Sequence, residues 1–179
     1  MNRHPQATSL NMQAFAEAGV PLIGATPLQK LERLAQEISG SQPDLIVNWQ
    51  AVPELRVGSA GQADIWMQLT ANTTLPLTCQ RCMGPVQTAL QTDQWYRFVA
   101  SEDIAMAEDD AADEDLLVLT PQFDLMEVLE DELLMALPLV PMHEACPDLP
   151  VFSAGVLDMP QDAADKPNPF AALAQLKKN

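Results

Sequence analysis

Four side chains in this sequence have the types and spacing of a metal-ligand set. Cys79 and Cys82 form a Cys-x-x-Cys pair at the end of the alternating run Leu75-Pro-Leu-Thr-Cys-Gln-Arg-Cys-Met-Gly84, and His143-Glu-Ala-Cys146 follows after 60 intervening residues. Together they use all three cysteines and one of the two histidines. Three thiolates and an imidazole are the ligand count and type of a closed tetrahedral zinc site. The gap is long for a compact finger, so one structural zinc would clamp two distant segments. Two other readings stand beside the clamp. Small thiols often fill a core without any metal, which would leave His143 as a surface residue. A thiol-redox pair is the third reading, but such pairs usually open a helix whose N-terminus lowers the thiolate pKa. Here a strand-like run precedes the pair and Gly84-Pro85 follows it.

The elements that position these residues must come from a chain of 179 residues, enough for one core with tails. Apolar content of 47% supports a globular body, while fifteen prolines and seven glycines predict many turns. No apolar run is long enough to span a membrane, and Met1-Asn-Arg-His-Pro5 lacks the apolar centre of a signal peptide. An odd cysteine count argues against a secreted disulfide framework. The expected location is the cytoplasm. Twenty-five acidic residues against nine Lys and Arg give a net charge of −16. Nucleic-acid binding is dominated by Lys and Arg contacts to phosphate, and the basic residues here are scattered along the chain. A basic protein partner is the better expectation, because complementary fields steer association. Solubility alone would also account for the acidity.

Along the chain, residues 1–25 carry a loosely apolar stretch broken by Gly19-Val-Pro21 and are expected to form an N-terminal extended arm. An α+β core domain is expected over 26–149. It begins with an amphipathic helix in which Thr26 caps, Pro27 opens, Leu28, Leu31, Leu34 and Ile38 face inward and Gly40 stops. From residue 44 to 100 the period shifts to two, which predicts strands over 45–49, 55–57, 63–70, 75–79 and 86–99. Turns are expected at Pro53-Glu54 and Asn72-Thr-Thr, and the cysteine knuckle at a hairpin tip. Such hairpins predict an antiparallel meander or small open barrel with flanking helices. Residues 101–115 hold eight acidic side chains and no basic one, which predicts a flexible acidic loop. A strand over 116–119 and a helix over 124–137 complete the core. In that helix Leu125, Val128, Leu129 and Leu133 face inward, and Glu127, Glu130 and Asp131 form an acidic face for solvent or a basic partner. Residues 150–165 read as a linker. Residues 166–179 read as a C-terminal amphipathic helix, with Phe170, Leu173 and Leu176 on one face as a second candidate partner surface.

Three stretches resemble the bacterial YceD family in the same order. They are Leu77-Thr-Cys-Gln-Arg-Cys82, then Val128-Leu-Glu-Asp-Glu-Leu-Leu-Met-Ala-Leu-Pro-Leu-Val-Pro141-Met-His143, and the closing Lys166-Pro-Asn-Pro-Phe170-Ala-Ala-Leu173-Ala-Gln-Leu176-Lys-Lys178. The resemblance runs from about Ala51 to the end. It implies a role in synthesis, processing or stability of large-subunit ribosomal RNA, and it supplies no catalytic residues. Some branches of the family carry a second Cys-x-x-Cys where this chain has His143 and Cys146, while other relatives alter the His-to-Cys spacing.

The expectation is therefore a non-enzymatic ribosome-biogenesis factor, acting through a basic partner such as a ribosomal protein or an RNA-processing factor. An RNA-processing enzyme of nuclease type would need a general base, an open metal cluster or a basic groove, and the sequence suggests none. A direct RNA-binding module could stack bases on Trp49, Trp66 and Trp95, although aromatic residues in a strand more often belong to the core.

Overall fold

The structure is a computed structural model that describes residues 6–40, 42–58, 61 and 63–147. The linker expected over 150–165 and the C-terminal helix with Phe170, Leu173 and Leu176 lie outside the described residues. Five strands, β1 Leu22–Pro27, β2 Ile46–Val57, β3 Ala63–Thr78, β4 Pro85–Val99 and β5 Asp115–Val118, form one open sheet in sequence order. β1 to β4 pair antiparallel, as a meander should, but β5 joins β4 in parallel. A parallel neighbour needs a crossover of a dozen or more residues, and residues 100–114 supply it. The sheet is thus mixed, and it does not close into a barrel.

The period-two signal is strongest in β3. Ile65, Met67, Leu69, Ala71, Leu75 and Leu77 all point to one face and are buried there. Against them pack Leu28, Leu31 and Leu34 and, from the helix α3 Leu125–Met135, Leu125, Leu129 and Leu133. Asp124 caps α3 as its position predicts, its side chain accepting from the backbone N–H groups of Met126 and Glu127.

Neither expected turn interrupts its strand. β2 runs straight through Pro53, and β3 runs straight through Asn72 and Pro76. Pairing of β1 with β2 ends at Leu22↔Ala51, and pairing of β2 with β3 ends at Asn48↔Asn72. Each proline therefore sits where its strand has lost one neighbour. A missing N–H costs a ladder bond only where a partner waits for it.

The N-terminal arm is also not extended. Residues Met12–Ala18 form a helix, α1, capped by the Asn11 side chain accepting from Ala14 N at 2.9 Å. Gly19, at φ +61°, ends it in the left-handed conformation. The Gly19-Val-Pro21 break is thus a helix stop leading into β1. Leu10, Met12 and Phe15 are buried, and Leu10 exchanges two backbone hydrogen bonds of 2.8 Å with Phe123.

The helix expected after Thr26 resolves instead into the end of β1 and two short 3-10 helices, Leu28–Lys30 and Leu34–Gln36. The apolar spacing at 28, 31 and 34 is three, which is the 3-10 repeat as well as an α-helical one. The expected flexible acidic loop contains a helix too, α2 Glu102–Glu108, followed by a 3-10 turn. Ser101 caps α2, and Glu102 and Asp103 occupy its first turn, where the helix dipole favours acids.

Gly24 makes room for Trp49. A Cβ on residue 24 would lie 2.2 Å from the indole, which is buried and donates from Nε1 to Thr26 Oγ1 at 2.8 Å. Gly24→Ala is expected to destabilise the protein by roughly 1–3 kcal/mol. Urea unfolding would register this as a lower midpoint at unchanged slope, and an unchanged midpoint would contradict the packing.

Candidate metal centre

β3 and β4 pair as far as Thr78↔Pro85, so residues 79–84 form the tip of the longest hairpin in the sheet. Within the tip, Cys79 N donates to Gly84 O and Met83 N donates to Cys79 O, both at 2.9 Å. Met83 takes φ +61°, the sole non-glycine positive φ among the described residues. That conformation is uncommon for a side chain with a Cβ, and it folds the knuckle back on itself. The chain leaving α3 passes alongside, where Gln80 N donates to Pro141 O at 2.9 Å. This backbone bond, with the contact of His143 to Pro85 O, holds the segment beside the knuckle.

All four predicted ligands converge. The Cys79, Cys82, His143 and Cys146 ligand atoms lie within 4.8 Å of one another. Cys79 Sγ and Cys146 Sγ are 3.8 Å apart, and Cys82 Sγ and His143 Nδ1 are 3.5 Å apart. A zinc tetrahedron with Zn–S near 2.3 Å and Zn–N near 2.0 Å requires edges of about 3.8 Å between sulfurs and about 3.5 Å from sulfur to nitrogen. These two edges match the polyhedron. His143 Nε2 lies 3.0 Å from Pro85 O. A carbonyl only accepts, so Nε2 carries the proton and Nδ1 keeps its lone pair toward the sulfurs. Such a second partner is what orients metal-bound histidines.

The electrostatics point the same way. Burial pushes the Cys79 thiol up, but the backbone N–H groups around the knuckle, Cys82 first, outweigh it and hold Cys79 at about 5. Burial together with the neighbouring Cys82 and Cys79 sulfurs pushes Cys146 up to about 11. Three sulfurs this close cannot all ionise without a cation between them. The residues fit a divalent, thiophilic metal, and with four protein ligands no coordination position stays open. No disulfide joins the cysteines, and the pair does not open a helix, so the helix N-terminus usual to a redox pair is missing.

The acidic face expected on α3 is largely spent inside the molecule. Glu130 is buried, accepting from Arg33 N at 2.7 Å and Leu34 N at 3.1 Å while pairing with the Arg33 guanidinium. It thereby caps the second 3-10 helix and is not free for a partner. Asp131 remains half-exposed but is bridged to Arg33 at 2.5 Å, and Glu127 alone of the three stays open to solvent. Glu132 is buried as well, accepting from Tyr96 Oη and Thr92 Oγ1. Burial, with the Glu132 carboxylate beside it, raises the Tyr96 phenol far above its usual range. The helical wheel could not separate buried acids from exposed ones. Only Arg33, 97 positions away from Glu130, identifies the first as internal.

Of the three tryptophans, Trp49 is buried in the core, whereas Trp66 and Trp95 are half-buried on the opposite sheet face. Their rings are covered by Arg56, which reads in the sequence as one of several scattered cations. Among the described residues no helix is long and apolar enough to cross a membrane.

The sequence matches the family described as "Large ribosomal RNA subunit accumulation protein YceD" over residues 67–177, which includes all four ligands. It is also 33% identical to the large ribosomal RNA subunit accumulation protein YceD of Haemophilus influenzae, covering 91% of each chain. The chain belongs to the YceD family. That family is named for an accumulation factor and not for an enzyme. No solved structure matches the chain.

The two roles of the α3 acids separate by mutation. Glu130→Ala, which strands two backbone donors and Arg33, is expected to cost roughly 2–4 kcal/mol. Glu127→Ala should change stability by less than about 0.5 kcal/mol. Equal effects of the two substitutions in thermal or urea unfolding would contradict the internal assignment of Glu130.

Proposed function

We propose that this chain supports accumulation of large-subunit ribosomal RNA in the cytoplasm without catalysing a reaction. It acts as a zinc-clamped scaffold that presents carboxylates to a basic protein, such as a ribosomal protein or an RNA-processing factor. The observation that carries this reading is the acidic segment between β4 and β5. α2 buries none of its residues, and Glu102, Asp103, Asp109, Asp110 and Asp113 are exposed and unpaired among the described residues. On a chain of net charge −16, this surface attracts cations and repels a phosphate backbone. The nuclease alternative gains no support from the metal centre, since a catalytic zinc keeps an open position and four protein ligands fill it.

The partner surface is tested by capturing proteins on tagged full-length chain at low and high salt, after nuclease treatment. Basic large-subunit proteins or processing factors should be retained at low salt, released at high salt and lost with the triple substitution Asp109→Asn, Asp110→Asn and Asp113→Asn. Retention by that variant would move the contact elsewhere, and recovery of RNA alone would contradict the reading.

The clamp is tested separately. Purified protein should hold about one zinc per chain, Cys79→Ser about none, and chelation should lower the melting temperature. Protein prepared without chelators that contains no metal, and melts identically with chelator present, would remove zinc from the account.

A further inference from the structure

The sheet face turned away from the core holds a second constellation, made by β2, β3 and β4. Residues directly opposed across strands share a face, and the register aligns Glu54 with Trp66 and Trp66 with Arg97, with Trp95 two pairs further along opposite Gln68. The indoles of Trp66 and Trp95 meet edge to face, 6.4 Å between centroids at 68°, and form two walls of a slot. The Arg56 guanidinium fills it, 4.1 Å from the Trp66 centroid and 4.2 Å from that of Trp95. Glu54 closes the charge with Oε2 at 2.7 Å from Arg56 Nη2. Arg97 stands 5.9 Å from Trp66 and is tied to Glu108 of α2 at 2.7 Å and to Glu114 at 2.5 Å. Arg97 thus links α2, through Glu108, to the edge of the slot.

We propose that this slot is an arginine-binding site: a guanidinium from a basic protein partner replaces Arg56 between Trp66 and Trp95 and takes over the Glu54 carboxylate. The proposal rests on the basic-partner reading above and names the contact. The shape of the slot is matched to a planar guanidinium, because one from this chain already occupies it. Displacing that occupant gives up two stacking contacts that an incoming guanidinium remakes, and the ion pair it breaks is a weak one. Arg56 is 36% exposed and its partner Glu54 is 46% exposed, and such surface pairs contribute little to stability. A second sign of an absent ligand is Trp66 Nε1, which is buried without a hydrogen-bond partner among the described residues. A buried donor of this kind calls for an acceptor, which a docked segment could offer only once Arg56 has left the slot. Charge separates the candidate occupants. Arg56 and Arg97 are each neutralised by carboxylates and α2 adds more, so a phosphate backbone meets repulsion and a basic peptide meets attraction. Arginine should be preferred over lysine, since its flat, weakly hydrated cation stacks on indole.

The test uses full-length protein with 15N-labelled indoles, titrated with a short peptide of Arg-Gly-Gly repeats, its Lys-Gly-Gly counterpart and a short oligouridylate. The arginine peptide should shift the Trp66 and Trp95 indole signals, leave Trp49 unmoved and bind about two- to fivefold tighter than the lysine peptide. Arg56→Ala should vacate the slot and tighten the arginine peptide by a similar factor, about two- to fivefold. Trp95→Leu should abolish the preference. Salt-sensitive binding of both peptides with unmoved indole signals would overturn the slot and leave the basic-partner reading standing. No binding of either peptide would overturn both. Tighter binding of the oligouridylate at the same indoles would make the face a nucleic-acid site and overturn the proposal.

Discussion

The constraint on which the rest of the molecule depends is the closure of a 60-residue loop between Cys82 and His143. Everything from β4 to α3 lies inside that loop, so a metal held by the four clustered residues would fix where the loop begins and ends. The elements within it have modest means of their own. α2 buries nothing, β5 is four residues long, and α3 is held by three leucines and two buried acids. A cross-link over such a span removes chain entropy from the unfolded state, and the effect grows slowly with loop length. A metal there would tie a rigid hairpin tip to the segment that leaves the main helix, with a backbone bond from Gln80 to Pro141 already aligning the two.

The distribution of acids follows from the same architecture. Near the core, carboxylates act as internal parts. Glu130 caps a 3-10 helix and Glu132 receives the Tyr96 hydroxyl. In the crossover they remain at the surface, with only Glu108, Glu114 and Asp115 engaged by Arg97 or Gln94. Arg97 thus joins the acidic crossover to the tryptophan face. The molecule has one face devoted to its core and another where aromatic rings and charge meet solvent.

The clustering of Cys79, Cys82, His143 and Cys146 was legible in the sequence because cysteine and histidine are rare here, and few other roles demand that spacing. β4 and α3 were legible for a similar reason, since each carries an uninterrupted period and α3 a capping aspartate. What misled were local signals whose meaning depends on distant neighbours. Pro53 and Asn72-Thr-Thr read as turns, yet β2 and β3 run through them, and Pro53 lies beyond the last β1 pair at Ala51. Leucines at 28, 31 and 34 fit an α-helix and a 3-10 turn equally well. α1 was lost in short apolar sequence, although Asn11 and Gly19 mark its ends. The crossover has the composition of a disordered run, but a serine cap and two acids in the first turn suffice to start a helix.

The central claim is that the Cys79, Cys82, His143 and Cys146 cluster is a structural zinc site, and zinc K-edge X-ray absorption on the purified protein tests it most directly. The account predicts three sulfur neighbours at about 2.3 Å and one nitrogen at about 2.0 Å, with no water in the shell. A shell of oxygen and nitrogen alone, or one whose sulfur count does not fall in Cys146→Ser, would contradict it.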